Sequence, residues 1–239
     1  MYKKKILVLY VFHIYNDRVK HFINNCIFES DNIDFVLISN NKENVFEYPS
    51  YVKVLVRNNI GYDFGGWSDA LLLNDLYKNY EYFLFINSSV MGPFGINKDK
   101  WVDVYINGLT DNIKLFGSTI NTIQDPLNKS HVQSYIFSMN KDTLQYLINC
   151  DIFSMTNYAN TFSDAIHLKE ILMSQLIIKN NWNIGSLLKC YKNVDFTFKN
   201  KNPNDYNIIF HDDIMMQHYM NNLWTLDEVI FIKGNRISL

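Results

Sequence analysis

Two short blocks carry the residue types most able to do chemistry. In RNNIGYDFGGW, residues 57–67, Gly61, Gly65 and Gly66 free the backbone to turn sharply or to approach a ligand closely, and Asp63 sits among them. A carboxylate held in such a turn accepts hydrogen bonds from a ribose or another sugar. Arg57, just before the turn, presents a planar fork that matches a phosphate, with a surface ion pair as its plainer use. In FINSSVMGPF, residues 85–94, Asn87, Ser88 and Ser89 are small polar groups closed off by Gly92 and Pro93. None of the three is anionic.

Both blocks follow runs that read as buried strands, VKVLV at 52–56 and YFLFI at 82–86. Gly-rich turns after strands occur in any α/β protein. Two of them at adjacent strand ends point to one site, because ligands in open α/β sheets bind outside the carboxyl ends of the strands. The rest of the chain alternates in the same way. Residues 6–12 predict a strand, followed by a helix carrying Val19, Phe22, Ile23, Cys26 and Ile27, with Asn16 or Asp17 as N-cap. Residues 35–38 read as a strand and 67–80 as a helix. In the second half, 115–120 and 134–139 read as strands, Asn140 caps a helix with Leu144, Leu147 and Ile148, and a longer helix spans 164 to about 180. Residues 202–207, with Pro203, read as a surface loop and 229–232 as a last strand. The expected fold is α/β, a mixed and mostly parallel central sheet flanked by helices. One domain is expected over 1–239, with 1–100 as its nucleotide-binding half.

Composition narrows the function. A net charge of -2, with no long basic block, gives no bulk electrostatic reason for nucleic-acid binding. Cys26, Cys150 and Cys190 are odd in number and widely spaced, which argues for core thiols in a reducing compartment. The run at 6–12 follows three lysines but is short, ends in His13 and lacks a cleavage site, so it reads as a strand rather than a signal peptide. No run reaches the length of a membrane span. Asn87 and Asn128 begin glycosylation acceptor patterns. Modification of Asn87 would block the site, so a cytoplasmic location is expected, the host cytoplasm if the source is viral.

These blocks resemble the rhamnan synthesis protein F group of glycosyltransferases and the related chlorella-virus capsid-glycan glycosyltransferase domain, which share a GT-A fold. The resemblance rests on RNNIGYDFGGW, FINSSVMGPF, QSYIF at 133–137, the segment 170–185 and WTLDEVIFIKGNR at 224–236, in that order. It implies transfer of a hexose, such as rhamnose or glucose, from a UDP- or dTDP-linked donor to a hydroxyl of a growing glycan, with residues 101–239 on the acceptor side. The donor set it implies is Phe12 and His13 at the nucleobase, Arg57 at phosphate, and Gly61, Asp63, Gly65, Gly66, Trp67, Asn87, Ser88 and Ser89 along the nucleotide sugar.

An inverting transferase needs a carboxylate base. Glu170 is the first choice and Asp213 the next, with Asp164 in reserve. Such enzymes commonly hold Mn²⁺ or Mg²⁺ through an Asp-x-Asp motif, whose place is taken here by Asn87-Ser88-Ser89. The expected metal contacts are therefore Asp63 and His211, the latter in a His211-Asp212-Asp213 cluster that reads equally well as a solvated loop. Tyr62, Trp67 and Trp101 are aromatic rings able to stack on sugars, although core packing is their default. His21, His131, His167 and His218 read as structural or exposed. A glycan-binding module without chemistry is the alternative opened by the missing motif. A nucleotidyltransferase fits less well, because no glycine-rich loop follows the first strand.

Overall fold

In a computed structural model of the chain, residues 6–206, 208 and 213–238 are described. The strands are β1 (Ile6–Phe12), β2 (Ile33–Ser39), β3 (Lys53–Val56), β4 (Tyr82–Asn87), β5 (Val90–Met91), β6 (Ile113–Gly117), β7 (Ile120–Asn121), β8 (His131–Val132), β9 (Ile136–Asn140), β10 (Asn183–Ser186) and β11 (Ile232–Lys233). The helices are α1 (Asp17–Asn25), α2 (Tyr62–Leu72), α3 (Trp101–Asn107), α4 (Pro126–Lys129), α5 (Lys141–Asn149), α6 (Phe162–Asp164), α7 (Leu172–Lys179) and α8 (Leu226–Val229). A π-helical stretch, Ala165–Ile171, joins α6 to α7.

Seven strands form one sheet in the order β10-β6-β9-β4-β1-β2-β3. All neighbours run parallel except β9, which is antiparallel to both β4 and β6. This is the expected mixed, mostly parallel sheet flanked by helices, and it is consistent with a GT-A-like fold. The chain winds from β1 outward through β2 to β3, then crosses to β4 on the other side of β1. The carboxyl ends of β1 and β4 thus form the switch point at which such sheets open a crevice. Every residue of β1 is buried, as the unbroken apolar run required.

The helix ends follow their caps. Asn16 and Asn140 accept hydrogen bonds from the backbone N–H of Val19 and Thr143, starting α1 and α5 where the sequence placed them. Several boundaries differ from expectation, among them that the strand expected at 115–120 is split between β6 and β7 and the helix expected at 67–80 ends at Leu72. The glycine-rich turn ends early: α2 begins at Tyr62 behind Gly61, whose φ of 75° is left-handed, and Gly65 N–H already bonds Gly61 C=O. The expected strand at 229–232 is divided, Val229 closing α8 and only Ile232 and Lys233 pairing with β5. Within 202–207, Pro203–Tyr206 form a 3₁₀ turn.

Candidate functional site

A cavity of about 570 Å³ opens outside the carboxyl ends of β1 and β4. Each wall brings one class of group. At the strand ends, His13 follows β1 and donates from Nδ1 to Asn40 C=O, 3.1 Å away. Asn87, the last residue of β4, donates from Nδ2 to the Asp63 carboxylate at 3.0 Å, while its Oδ1 accepts from Ser89 N–H and Ser89 Oγ–H. Asp63 lies in the first turn of α2, where the helix end favours a negative charge. Burial nevertheless pushes its carboxyl up to about 6; the Asn87 hydrogen bond opposes this and the Glu170 charge adds to it.

The second wall is built by the segment before β9. Ser134 N–H donates to Glu170 Oε1 at 2.9 Å, and Gln133 Nε2 donates to Asp213 Oδ1 at the same distance. Gln133 is itself held by Thr119 Oγ–H on its Oε1. Glu170 stands in the π-helical stretch, whose extra residue per turn changes which side chains face the cavity. Its neighbour Lys169 is turned inward and donates to the carbonyls of Asp151, Ile152 and Asn157, pinning that loop against the helix.

The C-terminal segment adds cations. Lys233 and Arg236 line the cavity, and Arg236 Nη1 lies 3.0 Å from Asp213 Oδ2. Burial alone would raise the Asp213 carboxyl, but Lys233, Met215 N–H, Arg236 and Gln133 together hold it below its usual range. Lys233 Nζ also sits over the ring of Tyr135 at 5.6 Å. His131 lines the cavity with its Nδ1 on Lys129 C=O at 2.6 Å, and burial lowers its basicity.

The cavity therefore brings together His13, Asp63, Asn87, Ser88, Ser89, Glu170 and Asp213. Other expected contacts stand elsewhere. Phe12 is buried, edge-on to Phe46, and cannot reach a base. Arg57 is buried too and spends its whole fork internally: Nε on Asp69, Nη1 on Asn40 and Nη2 on Ile60 C=O. Gly61, Gly65 and Gly66 serve packing. A Cβ at Gly65 would lie 2.0 Å from Ile60 C=O, and one at Gly66 would press on Val11, Ile38 and Asn40. Trp67 packs on Phe64, Phe85 and Phe137 in the core, and Trp101 is buried with its indole N–H on Cys26 C=O. Asp164 closes a capping box with Thr161. Tyr62 does line the cavity, beside Phe162. The expected metal contact His211, with Asp212, lies outside the described residues.

Among the described residues no group of three or more His, Cys, Asp or Glu is placed to hold a metal ion. Of the described carboxylates, Asp63 is tied to the Asn87 amide and Asp213 to the Arg236 guanidinium.

The family model described as "Rhamnan synthesis protein F" matches residues 35–223. The chain belongs to the rhamnan synthesis protein F family. Of the two resemblances read from the sequence, this is the one the match bears out. The matched span holds four of the five blocks that suggested it, and the fifth, 224–236, follows directly. Membership in the rhamnan synthesis protein F family implies a glycosyltransferase-like role in making that polysaccharide. No curated protein matches the chain by sequence. One solved structure, described as "Crystal Structure of a Mycobacterial Protein", is similar over 60% of this chain at 9% identity and a TM-score of 0.39, and the chain spans 55% of that structure's length.

Several cavity residues of this family member escaped the sequence reading as site residues: Asn121, His131, Gln133, Ser134, Lys233 and Arg236. Four of them fall within the blocks QSYIF and WTLDEVIFIKGNR, which the sequence singled out without giving their side chains roles.

Proposed function

We propose that the chain is a glycosyltransferase that moves a hexose from a UDP- or dTDP-linked donor to a hydroxyl of a growing glycan, with inversion. One observation carries this reading. The cavity at the strand switch point gathers Asp63 and Glu170 with Lys233 and Arg236, so base and counter-charge share a single space.

In this scheme Glu170 is the general base. The acceptor oxygen bonds to the anomeric carbon from the face opposite the phosphate, and its proton passes to the Glu170 carboxylate. The carbon–oxygen bond to the diphosphate breaks, and the diphosphate leaves with the electron pair. Lys233 and Arg236 offset its growing charge. Ser134 N–H keeps Glu170 aimed, Asp63 and Asn87 receive donor hydroxyls, and His13 meets the nucleobase. Work in the cytoplasm would leave Asn87 free of glycan.

Thermal denaturation with UDP, GDP, dTDP and CMP, each with and without Mn²⁺, tests the reading. A selective rise of the midpoint by one nucleoside diphosphate is expected, since a ligand at 100 times its Kd adds about 2.7 kcal/mol. Glu170→Gln should keep that rise and lose turnover by roughly 10²–10⁴-fold. The replacement of Asp-x-Asp by Asn87-Ser88-Ser89 favours a second reading, a glycan-binding module of the same fold. That reading gains if oligosaccharides raise the midpoint and no nucleotide does.

A further inference from the structure

Phe162 is 68% exposed. A single exposed apolar residue usually means nothing, but this one lines the cavity. Its ring meets Tyr62 edge-on, with centroids 6.2 Å apart and planes at 64°. The backbone beneath each ring is constrained. The Thr161–Asp164 capping box fixes the turn that carries Phe162, and Tyr62 is held with φ at 56°, a left-handed conformation that a tyrosine adopts only when its surroundings impose it. Phe162 also begins the helix that runs through the π-helical stretch to Glu170.

We infer that Phe162 and Tyr62 form the acceptor subsite, an aromatic platform on which the apolar C–H face of a sugar ring of the acceptor glycan lies. The inference rests on the glycosyl-transfer reading and extends it to the acceptor. A pyranose has one face rich in axial C–H bonds, which carry partial positive charge toward the negative face of an aromatic ring, while its hydroxyls stay at the edge. Stacked on Phe162, the sugar keeps those hydroxyls in the polar part of the cavity, where Glu170 can take a proton. Phe162 is thus a positioning residue for the acceptor, and the base stands on the same helix.

The test uses the whole chain and a rhamnose oligosaccharide as probe, in the presence of whichever nucleoside diphosphate raises the thermal midpoint. Saturation-transfer NMR should place the sugar's ring C–H protons against aromatic protons. Phe162→Ala should weaken oligosaccharide binding by about five- to tenfold, while Phe162→Tyr restores it and both variants keep the nucleotide-induced rise in midpoint. In turnover, Phe162→Ala should raise the acceptor KM and leave the donor KM as it was. Equal oligosaccharide binding by Phe162→Ala and the natural chain, or no saturation in the natural chain, overturns the platform. If no nucleotide moves the midpoint yet the oligosaccharide still binds through Phe162, the transferase reading fails and the platform stands.

Discussion

Asp63 and Asn87 face each other across the mouth of the sheet, and their pairing explains why an amide stands where a second carboxylate would be expected. Asn87 Nδ2 gives Asp63 the donor that an aspartate at 87 lacks. Even so, burial holds the Asp63 carboxyl at about 6. The folded chain therefore binds more protons than the unfolded one between the usual carboxylate value and about pH 6, so this residue costs stability as pH rises through that window. Asp63→Asn should stabilise the fold above pH 6 by an amount on the order of 3 kcal/mol, seen as a higher thermal midpoint, and leave the midpoint unchanged below pH 4. Unfolding curves at the two pH values decide this, and an equal effect at both would refute the electrostatic cause. Asn87→Asp puts two carboxylates at hydrogen-bond distance, which raises the proton affinity of one of them. Its midpoint should fall near neutral pH and recover with Mn²⁺ by more than the natural chain gains. No such difference would mean that the two carboxylates do not face one another.

At the scale of elements, the glycine turn is an anchored helix start. Gly66 lets α2 lie directly on the ends of β1 and β2, Gly65 lets it close against Ile60 C=O, and Arg57 ties the turn down from three directions. Asp69, which receives Arg57 Nε, also accepts from Tyr158 Oη–H, so the loop that Lys169 pins joins the same network. Lysine cannot reproduce a guanidinium's fork. Arg57→Lys should destabilise the fold by about 2–3 kcal/mol through the buried acceptors it abandons, read as a lower urea midpoint at unchanged slope. A loss under about 0.5 kcal/mol would return Arg57 to the surface role that the sequence also allowed.

This network marks the limit of what the sequence discloses. The strand β1 and the caps at Asn16 and Asn140 were legible, because periodicity and capping act over a few residues. That Arg57 points inward was not, since its partner Asp69 comes into reach only once α2 starts at Tyr62 rather than near Trp67. The cavity's location was legible only in part: Asp63 and Asn87 do meet in it, but the two strands read as adjacent, β3 and β4, are separated by β1 and β2, and it is α2 that carries Asp63 back to the end of β4. The cavity's second wall was not legible, because Ser134 meets Glu170 across 36 residues of sequence and Gln133 meets Asp213 across 80.

Across the whole molecule, residues from both sides of position 100 complete the sheet and the cavity, and the C-terminal segment is what closes it. β11 pairs with β5 just beyond the end of β4, and Gly234 N–H bonds Ser89 C=O. This strap carries Lys233 and Arg236 to the strand ends from the far end of the sequence. Phe231 anchors it, fully buried between Phe22, Trp101 and Tyr105, with its carbonyl receiving Tyr135 Oη–H. Phe231→Ala should cost about 3–5 kcal/mol as a core truncation, lowering the thermal midpoint by roughly 10 °C. Stability loss alone would not distinguish an anchor from any other core residue. Leu144→Ala, equally buried but on α5, supplies the comparison. At a temperature where both variants are folded, Phe231→Ala should weaken binding of the nucleoside diphosphate that stabilises the natural chain, because Lys233 and Arg236 lose their fixed place, and Leu144→Ala should not. Equal affinities in the two variants would detach the strap from the site, leaving the cations free to find the diphosphate without the strand that delivers them.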